Sequence, residues 1–106
     1  MARIQITEAN LKNGTINLSK IKFFFPKECI GGGNKYEMGK EMKICYHSNE
    51  KFYSFDTDIA TGNKAVFRKR GVDGTKGLLI NLDIEAGDIL EFRKLGDYHF
   101  EALKTF

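Results

Sequence analysis

The strongest candidate for chemistry is a basic segment at residues 64–70, with the sequence Lys-Ala-Val-Phe-Arg-Lys-Arg. An arginine offers a planar fork of donors that matches a phosphate or the major-groove edge of guanine, and a lysine acts as a point charge on phosphates. Short polar side chains precede this segment, and such groups can accept from cytosine, pair with adenine or reach a phosphate. They are Asp56, Thr57, Asp58, Thr61 and Asn63.

A second segment at residues 12–20 has the same mixture: Lys12, Asn13, Thr15, Asn17, Ser19 and Lys20. Two such segments, if close in the fold, would clasp a duplex. The net charge is only +3, but residues 11–27 hold four lysines and no acid, whereas residues 77–106 hold six acids and three bases. This asymmetry favours a side that faces a polyanion and an acidic back, although basic runs are often only solvated loops.

Acidic residues give a weaker signal for metal-dependent cleavage. Asp56 and Asp58 alternate along an extended segment and would share a face. Asp88 with Glu91 and Arg93 faintly resembles the acidic pattern of Mg-dependent nucleases, with arginine where lysine is expected. Because acidic doublets are common on surfaces, we predict no catalytic residue, no metal and no cofactor, and we interpret the chain itself as not an enzyme.

Cysteine, glycine and histidine patterns point to structural roles. Cys29 and Cys45 form no CxxC motif, so we expect free thiols and not a zinc site. Residues 31–33 are three glycines without the Gly-Lys-Ser/Thr of a phosphate-binding loop, which predicts a flexible turn. His47 and His99 have no neighbouring nucleophile and are interpreted as exposed structural residues.

Alternation of apolar and polar residues predicts strands at residues 3–7 and 15–19, with a polar turn at residues 8–14 between them. Ile16 and Leu18 are predicted to point inward. After Lys20 the phase flips, which indicates a bulge and predicts that the inward set becomes Ile21, Phe23 and Phe25. A short helical turn follows at residues 26–30, because proline is tolerated at a helix start.

The remaining chain is predicted to form short strands that carry Ile44, Phe55, Phe92 and Phe100. Turns are expected at residues 47–50 and 59–63, an extended segment at 64–70 and a helical turn or strand at 78–83. Six or seven short strands predict a mostly β domain spanning residues 1–106, either a small barrel or a sandwich. The longest apolar run is far too short to span a membrane, so we expect a cytoplasmic protein with no membrane partner.

Three blocks then stand in order: "INLSKIKFFFPKECIGGGNK", "SFDTDIATGNKAVFRKRG" and "IEAGDILEFRKLGDYHFEALK". Together they resemble a B-three-type DNA-binding pseudobarrel domain of bacterial restriction–modification proteins, related to the recognition domain of EcoRII-type restriction endonucleases. The resemblance covers about residues 14–104. Plant members of the family carry a tryptophan that this chain lacks, so their site preferences do not transfer.

The resemblance implies a mostly β, seven-stranded open pseudobarrel with one or two short helices. It also implies binding in the major groove of double-stranded DNA through two arms, an N-arm at residues 12–20 and a C-arm at residues 57–70. Domains of this kind often sit beside nuclease or methyltransferase domains. A nuclease or methyltransferase, as a domain or a subunit, is therefore a partner that the resemblance suggests.

We therefore predict sequence-specific binding of double-stranded DNA. Because Arg68 and Arg70 share strand phase, we expect them to point at the groove and Lys69 to lie opposite. The alternatives are a Mg-dependent nuclease using Asp56, Asp58, Asp88 or Glu91, and an RNA- or protein-interaction β-barrel. The predicted DNA-binding residues are Lys12, Asn13, Asn17, Ser19, Lys20, Thr57, Asp58, Asn63, Lys64, Arg68, Lys69 and Arg70.

Overall fold

A computed structural model describes residues 1–105 of the chain. Within these residues, two α-helices, α1 and α2, and eight strands, β1 to β8, alternate with three 3₁₀ helices. Their order is β1 Ala2–Gln5, α1 Glu8–Asn13, 3₁₀ helices Lys22–Phe24 and Lys27–Cys29, β2 Ile30–Gly31, 3₁₀ helix Lys35–Glu37, β3 Met42–Ser48, β4 Lys51–Thr57, β5 Ile59–Thr61, β6 Ala65–Phe67, α2 Thr75–Asn81, β7 Ile89–Gly96 and β8 His99–Thr105.

The strands form two sheets in the described part of the chain. Five strands pair in the order β1-β7-β8-β3-β4, and three short ones pair in the order β2-β5-β6. Most neighbours are antiparallel, but β3 runs parallel to β8 and β2 parallel to β5. The prediction of a mostly β fold with short helices is confirmed. Residues 1–105 form eight strands in two sheets and not seven, and the shortest of them, Ile30–Gly31, belongs to the smaller sheet.

Phenylalanines from both sheets meet between the layers. Phe25 lies at the centre, with its ring centroid 5.0 to 5.7 Å from those of Phe67, Phe92 and Phe100. The contacts are edge-to-face, which is a favoured arrangement of aromatic rings. Since Phe67 belongs to β6 and Phe92 to β7, this cluster ties the segment that carries the basic residues to the larger sheet.

The polar turn predicted at residues 8–14 is wrong, because residues 8–13 form helix α1. Its start is fixed by a reciprocal cap. The Thr7 hydroxyl accepts from the Asn10 backbone N–H, and the Asn10 side chain accepts from the Thr7 N–H. Gly14 ends the helix at φ 65°, in the left-handed region that glycine adopts without strain.

The segment after α1 confirms one prediction and corrects another. Ile16 and Leu18 are buried, as predicted, but the strand predicted at residues 15–19 is wrong, because this segment forms no strand. Of the predicted inward set, Phe25 is in the core and Ile21 packs against it, but the prediction is wrong for Phe23, because residues 22–24 turn as a 3₁₀ helix and not as an extended strand. Phe23 is consequently 83% exposed while Phe25 is buried.

Most of the other predicted elements are confirmed, and one is wrong in part. The helical turn near residues 26–30 and the strands carrying Ile44, Phe55, Phe92 and Phe100 are confirmed. The turn predicted at residues 59–63 is wrong at its start, where Ile59–Thr61 forms β5. No helix in residues 1–105 is long and apolar enough to cross a membrane. Both cysteines are buried free thiols.

Candidate nucleic-acid interface

The two predicted arms lie side by side in the structure. The Leu18 N–H donates to the Ala65 carbonyl at 2.7 Å, and the Ala65 N–H donates to the Ser19 hydroxyl oxygen at 3.2 Å. These bonds join the N-arm to the first residue of β6. The two segments, 46 residues apart at the Ser19 contact, therefore present their polar side chains on a common surface.

A first cleft of about 600 Å³ opens where the arms meet. From the N-arm it is lined by Asn13 and Thr15, and from the C-arm by Asn63, Lys64 and Arg70. The other lining residues are small or β-branched: Gly33, Ala60, Thr61, Gly62 and Val66. The cleft thus combines two cations with two amides and two threonine hydroxyls, which are groups that contact phosphates and base edges.

A second cleft of about 490 Å³ lies on the other side of Lys64. Asn17 and Lys20 line it from the N-arm, and Lys64 is common to both clefts. No Asp or Glu is among the described residues that line either one. We call this surface the two-arm face: Asn13, Thr15, Asn17, Lys20, Asn63, Lys64 and Arg70.

Local turns hold these side chains outward. The β5–β6 hairpin is closed at residues 62–64 by the Gly62 N–H, which donates to the Lys64 carbonyl at 3.1 Å. This leaves Asn63 and Lys64 exposed at its tip. On the N-arm, the Asn17 side-chain oxygen accepts from the Ser19 N–H at 3.0 Å. That turn interrupts the extended run and leaves Lys20 exposed.

Three predicted contact residues face inward instead. Asp58 is fully buried, and Arg68 donates to its carboxylate from Nε at 2.7 Å and from Nη2 at 3.1 Å. Arg68 also donates to the carbonyls of Gly32 and Asn34. Thr57 is buried, donates to the Asp58 carbonyl and accepts from a backbone N–H. Their placement makes these side chains internal braces of the C-arm.

The predicted common face of Arg68 and Arg70 is therefore wrong. Strand β6 ends at Phe67, so the two-residue alternation does not continue through the arginines. Arg68 folds back onto Asp58, whereas Arg70 is exposed and lines the first cleft. Lys69 pairs with Asp73 at 3.2 Å on the surface.

The other predicted residues occupy the edges of the arms. Lys12 is exposed in the last turn of α1 but lines neither cleft. The Ser19 hydroxyl is taken by the Ala65 N–H, which makes it a strut between the arms.

Sequence reasoning missed Arg3, which lines the second cleft together with Gln5 from β1. Arg3 stands alone among apolar and polar neighbours, so no basic run signals it. Its position depends on the pairing of β1 with β7, in which Arg3 faces Glu91. A long-range register of this kind is not readable from local pattern.

The carboxylates considered for metal binding do not converge. Asp56 is exposed on β4, whereas Asp58 is buried against Arg68. The Glu85 N–H, assisted by Lys104, lowers the pKa of Asp88 below its ordinary value. Among residues 1–105, no three His, Cys, Asp or Glu side chains are grouped so as to hold a metal ion.

Comparison with known proteins supports the fold alone. No protein-family model and no curated protein sequence matches the chain. A solved structure, the N-terminal domain of Helicobacter pylori LlaJI.R1, is similar to it with a TM-score of 0.57 and 13% sequence identity. The match covers 99% of this chain and 86% of that one. The two chains therefore share an architecture over almost their whole length.

Proposed function

We propose that this chain binds double-stranded DNA through the two-arm face. The observation that carries the proposal is the pair of adjoining clefts that share Lys64 and hold cations, amides and hydroxyls but no carboxylate among their described lining residues. In this arrangement Lys20, Lys64 and Arg70 contact backbone phosphates or groove edges. The amides of Asn13 and Asn63 are suited to read bases, adenine above all, whereas the Asn17 oxygen already accepts from the Ser19 N–H.

The charge of the other clefts supports this choice of surface. A cleft beside the first 3₁₀ helix is lined by Glu28 and Asp97, and two clefts near α2 both include Asp83. A polyanion would meet a carboxylate in each of them. The two clefts of the two-arm face therefore offer the more favourable electrostatic surface.

The distribution of aromatic side chains favours a duplex over a single strand. Single-strand binders stack bases on exposed aromatic rings. Phe23, Tyr36 and Phe52 are exposed, yet no aromatic residue in the described chain lines either cleft of the two-arm face. Polar and cationic groups without a stacking platform fit the grooves and phosphates of paired DNA better.

The biological setting we propose is target recognition in a restriction–modification system. Three sequence blocks of this chain resemble domains of restriction–modification proteins, and the architecture that the chain shares with the N-terminal domain of LlaJI.R1 is compatible with this setting. In this proposal the chain supplies sequence recognition within the cytoplasm, and a nuclease or methyltransferase domain or subunit supplies the chemistry. The B-three-type family assignment belongs to the same proposal.

A duplex-DNA selection at controlled salt tests the proposal, followed by binding titrations of variants on the selected site. Lys64→Ala should weaken binding about tenfold and reduce the slope of log K against log salt by about 0.9, because one phosphate contact is lost. Lys51→Ala removes the same charge from an exposed position on β4 that is outside both clefts. It should change the affinity less than twofold.

The competing functions give different results in the same experiment. Tighter binding of single-stranded RNA than of any duplex would favour an RNA-binding barrel. Mg²⁺-dependent cleavage by the purified chain would favour the nuclease. Equal losses for Lys64→Ala and Lys51→Ala would show that net charge, and not the two-arm face, governs binding.

A further inference from the structure

The second cleft extends beyond the arms to strand β1. Arg3 lines it beside Lys20 and Lys64, so three cations from distant parts of the chain border one cavity. β1 lies at the edge of the five-stranded sheet. The cleft is thus formed where this sheet edge meets the two-arm face.

Arg3 is held in place by a buried carboxylate. Glu91 is 1% exposed on β7, directly opposite Arg3 in the strand register. Arg3 Nε donates to Glu91 Oε1 at 2.8 Å, and Arg93 Nε donates to Oε2 at 2.6 Å. Each arginine therefore uses one nitrogen to bind a separate carboxylate oxygen.

The rest of the Arg3 guanidinium remains accessible. Its side chain is 61% exposed, and its only other described hydrogen bond is a long contact of 3.7 Å from Nη2 to the Met1 sulfur. An arginine fixed through Nε keeps its terminal nitrogens for an external acceptor, and a phosphate accepts well from such a fork. The ion pair with Glu91 thereby limits the rotamers of Arg3 before any ligand arrives.

Arg93 offers an internal comparison. It binds the same carboxylate and is 51% exposed, close to the value for Arg3. Arg93 lies on β7 and lines neither cleft of the two-arm face. The two arginines are matched in partner, charge and exposure but differ in whether they border the proposed DNA surface.

We propose that Arg3, positioned by Glu91, forms a phosphodiester-binding site with Lys20 and Lys64 in the second cleft. This inference rests on the proposed function and extends the DNA surface from the two arms onto β1. In a bound duplex, one backbone phosphate beside the arms lies in this cleft and accepts from the terminal nitrogens of Arg3. The site adds affinity and fixes the orientation of the duplex without reading a base.

Binding of a random-sequence 30-base-pair DNA duplex, measured by fluorescence anisotropy over a series of salt concentrations, tests the site in the full chain. Arg3→Ala should weaken binding about five- to tenfold and lower the salt slope by about 0.9. Arg93→Ala removes the same charge and also leaves Glu91 with one arginine, yet it should change the affinity less than twofold. Arg3→Lys should restore most of the salt slope. Thermal melting should show similar losses of stability for Arg3→Ala and Arg93→Ala.

The outcomes separate this inference from the function on which it rests. Equal losses of affinity for Arg3→Ala and Arg93→Ala would overturn the phosphate site, while a larger loss for Lys64→Ala in the same series would still support the two-arm face. Failure of the native chain to bind any duplex at low salt would overturn both. A selective loss for Arg3→Ala that Arg3→Lys restores would establish the site.

Discussion

Two buried carboxylates, Asp58 in the smaller sheet region and Glu91 in the larger sheet, hold their arginines in opposite ways. Arg68 is 18% exposed, and it donates to Asp58 from two nitrogens and to the carbonyls of Gly32 and Asn34. Glu91 instead binds two arginines, each through Nε, and these remain 61% and 51% exposed. The first arrangement encloses its arginine, and the second presents arginines to solvent.

The difference shows that an ion pair between a buried carboxylate and an arginine can stabilise a loop in one place and position a binding residue in another. Arg68 joins the end of β6 to the backbone at residues 32–34, and Gly33 from that loop lines the first cleft. It therefore shapes the two-arm face from inside. Arg3 has no such carbonyls around it among its described contacts, so its terminal donors stay available at the rim of the second cleft.

The largest effect that follows is on folding. Arg68→Ala leaves the fully buried Asp58 carboxylate without its cation, and removing one partner of a buried ion pair typically costs about 3–5 kcal/mol. Urea denaturation at neutral pH should show a loss of this size. Arg70→Ala, two residues along and exposed, is the matched control and should change the free energy of unfolding by about 0.5 kcal/mol or less.

A double variant tests whether the Arg68–Asp58 ion pair acts by neutralising a buried charge. Asp58→Asn keeps an acceptor for the Gly39 N–H, which now donates to Asp58 at 2.7 Å, but removes the negative charge. Asp58→Asn combined with Arg68→Ala should be more stable than Arg68→Ala alone, because no unpaired charge is then buried. A purely additive result in the double-mutant cycle would contradict the braced-carboxylate interpretation.

The next effect is on DNA binding. Here we expect Arg70 to matter more than Arg68, which is the reverse of their ranking for stability. Arg70→Ala should weaken duplex binding about tenfold with little change in stability, because Arg70 lines the first cleft and a charge-assisted contact is lost. Arg68→Lys retains the charge but loses the fork that joins Asp58 to two carbonyls. Its free energy of unfolding should therefore fall by more than its free energy of DNA binding. The binding is measured by anisotropy at low temperature, where the variant is folded.

The sequence-based predictions succeeded where the local pattern alone decides the outcome. Alternation predicted the strands that carry Phe92 and Phe100, both of which lie in the core, and charge runs located Lys20, Lys64 and Arg70, which lie on one surface. These features depend on residue type and short spacing. The sequence left open whether the two segments lie close together, and the hydrogen bond between Ala65 and Ser19 shows that they do.

The errors arose where tertiary contacts or caps override local pattern. The reciprocal cap of Thr7 and Asn10 turns a polar stretch into α1, and a 3₁₀ helix exposes Phe23. Arg68 appeared to be a groove-facing residue because strand phase was extended past the end of β6. The ion pair of Arg68 with the buried Asp58 is visible only in the fold. In the same way, the position of Arg3 at the cleft depends on the register between β1 and β7.

The smallest expected effect is the pH dependence of stability that arises from the Glu91 cluster, which consists of Glu91, Arg3 and Arg93. Hydrogen bonds from Arg3 and then from Arg93 lower the pKa of Glu91 below its ordinary value. The ionised carboxylate is thus favoured in the folded state, and its contribution is complete above about pH 4.3, the pKa in an unfolded chain. It is lost as the pH falls through the lower folded-state pKa. Glu91→Gln should therefore be less stable than the native chain at pH 7, and the gap should narrow in melts below pH 4.

Asp73→Asn provides the control for that measurement. The pKa of Asp73 is also lowered, first by its hydrogen bond with Lys69, but the pair is on the surface, with the two side chains 48% and 70% exposed. Solvent screens such a pair, so the variant should show a smaller pH-dependent gap, and one that added salt reduces further. If the gaps for Glu91→Gln and Asp73→Asn were equal, the Glu91 cluster would hold its arginines no more firmly than a surface pair does, and the contrast between Arg3 and an ordinary surface arginine would be lost.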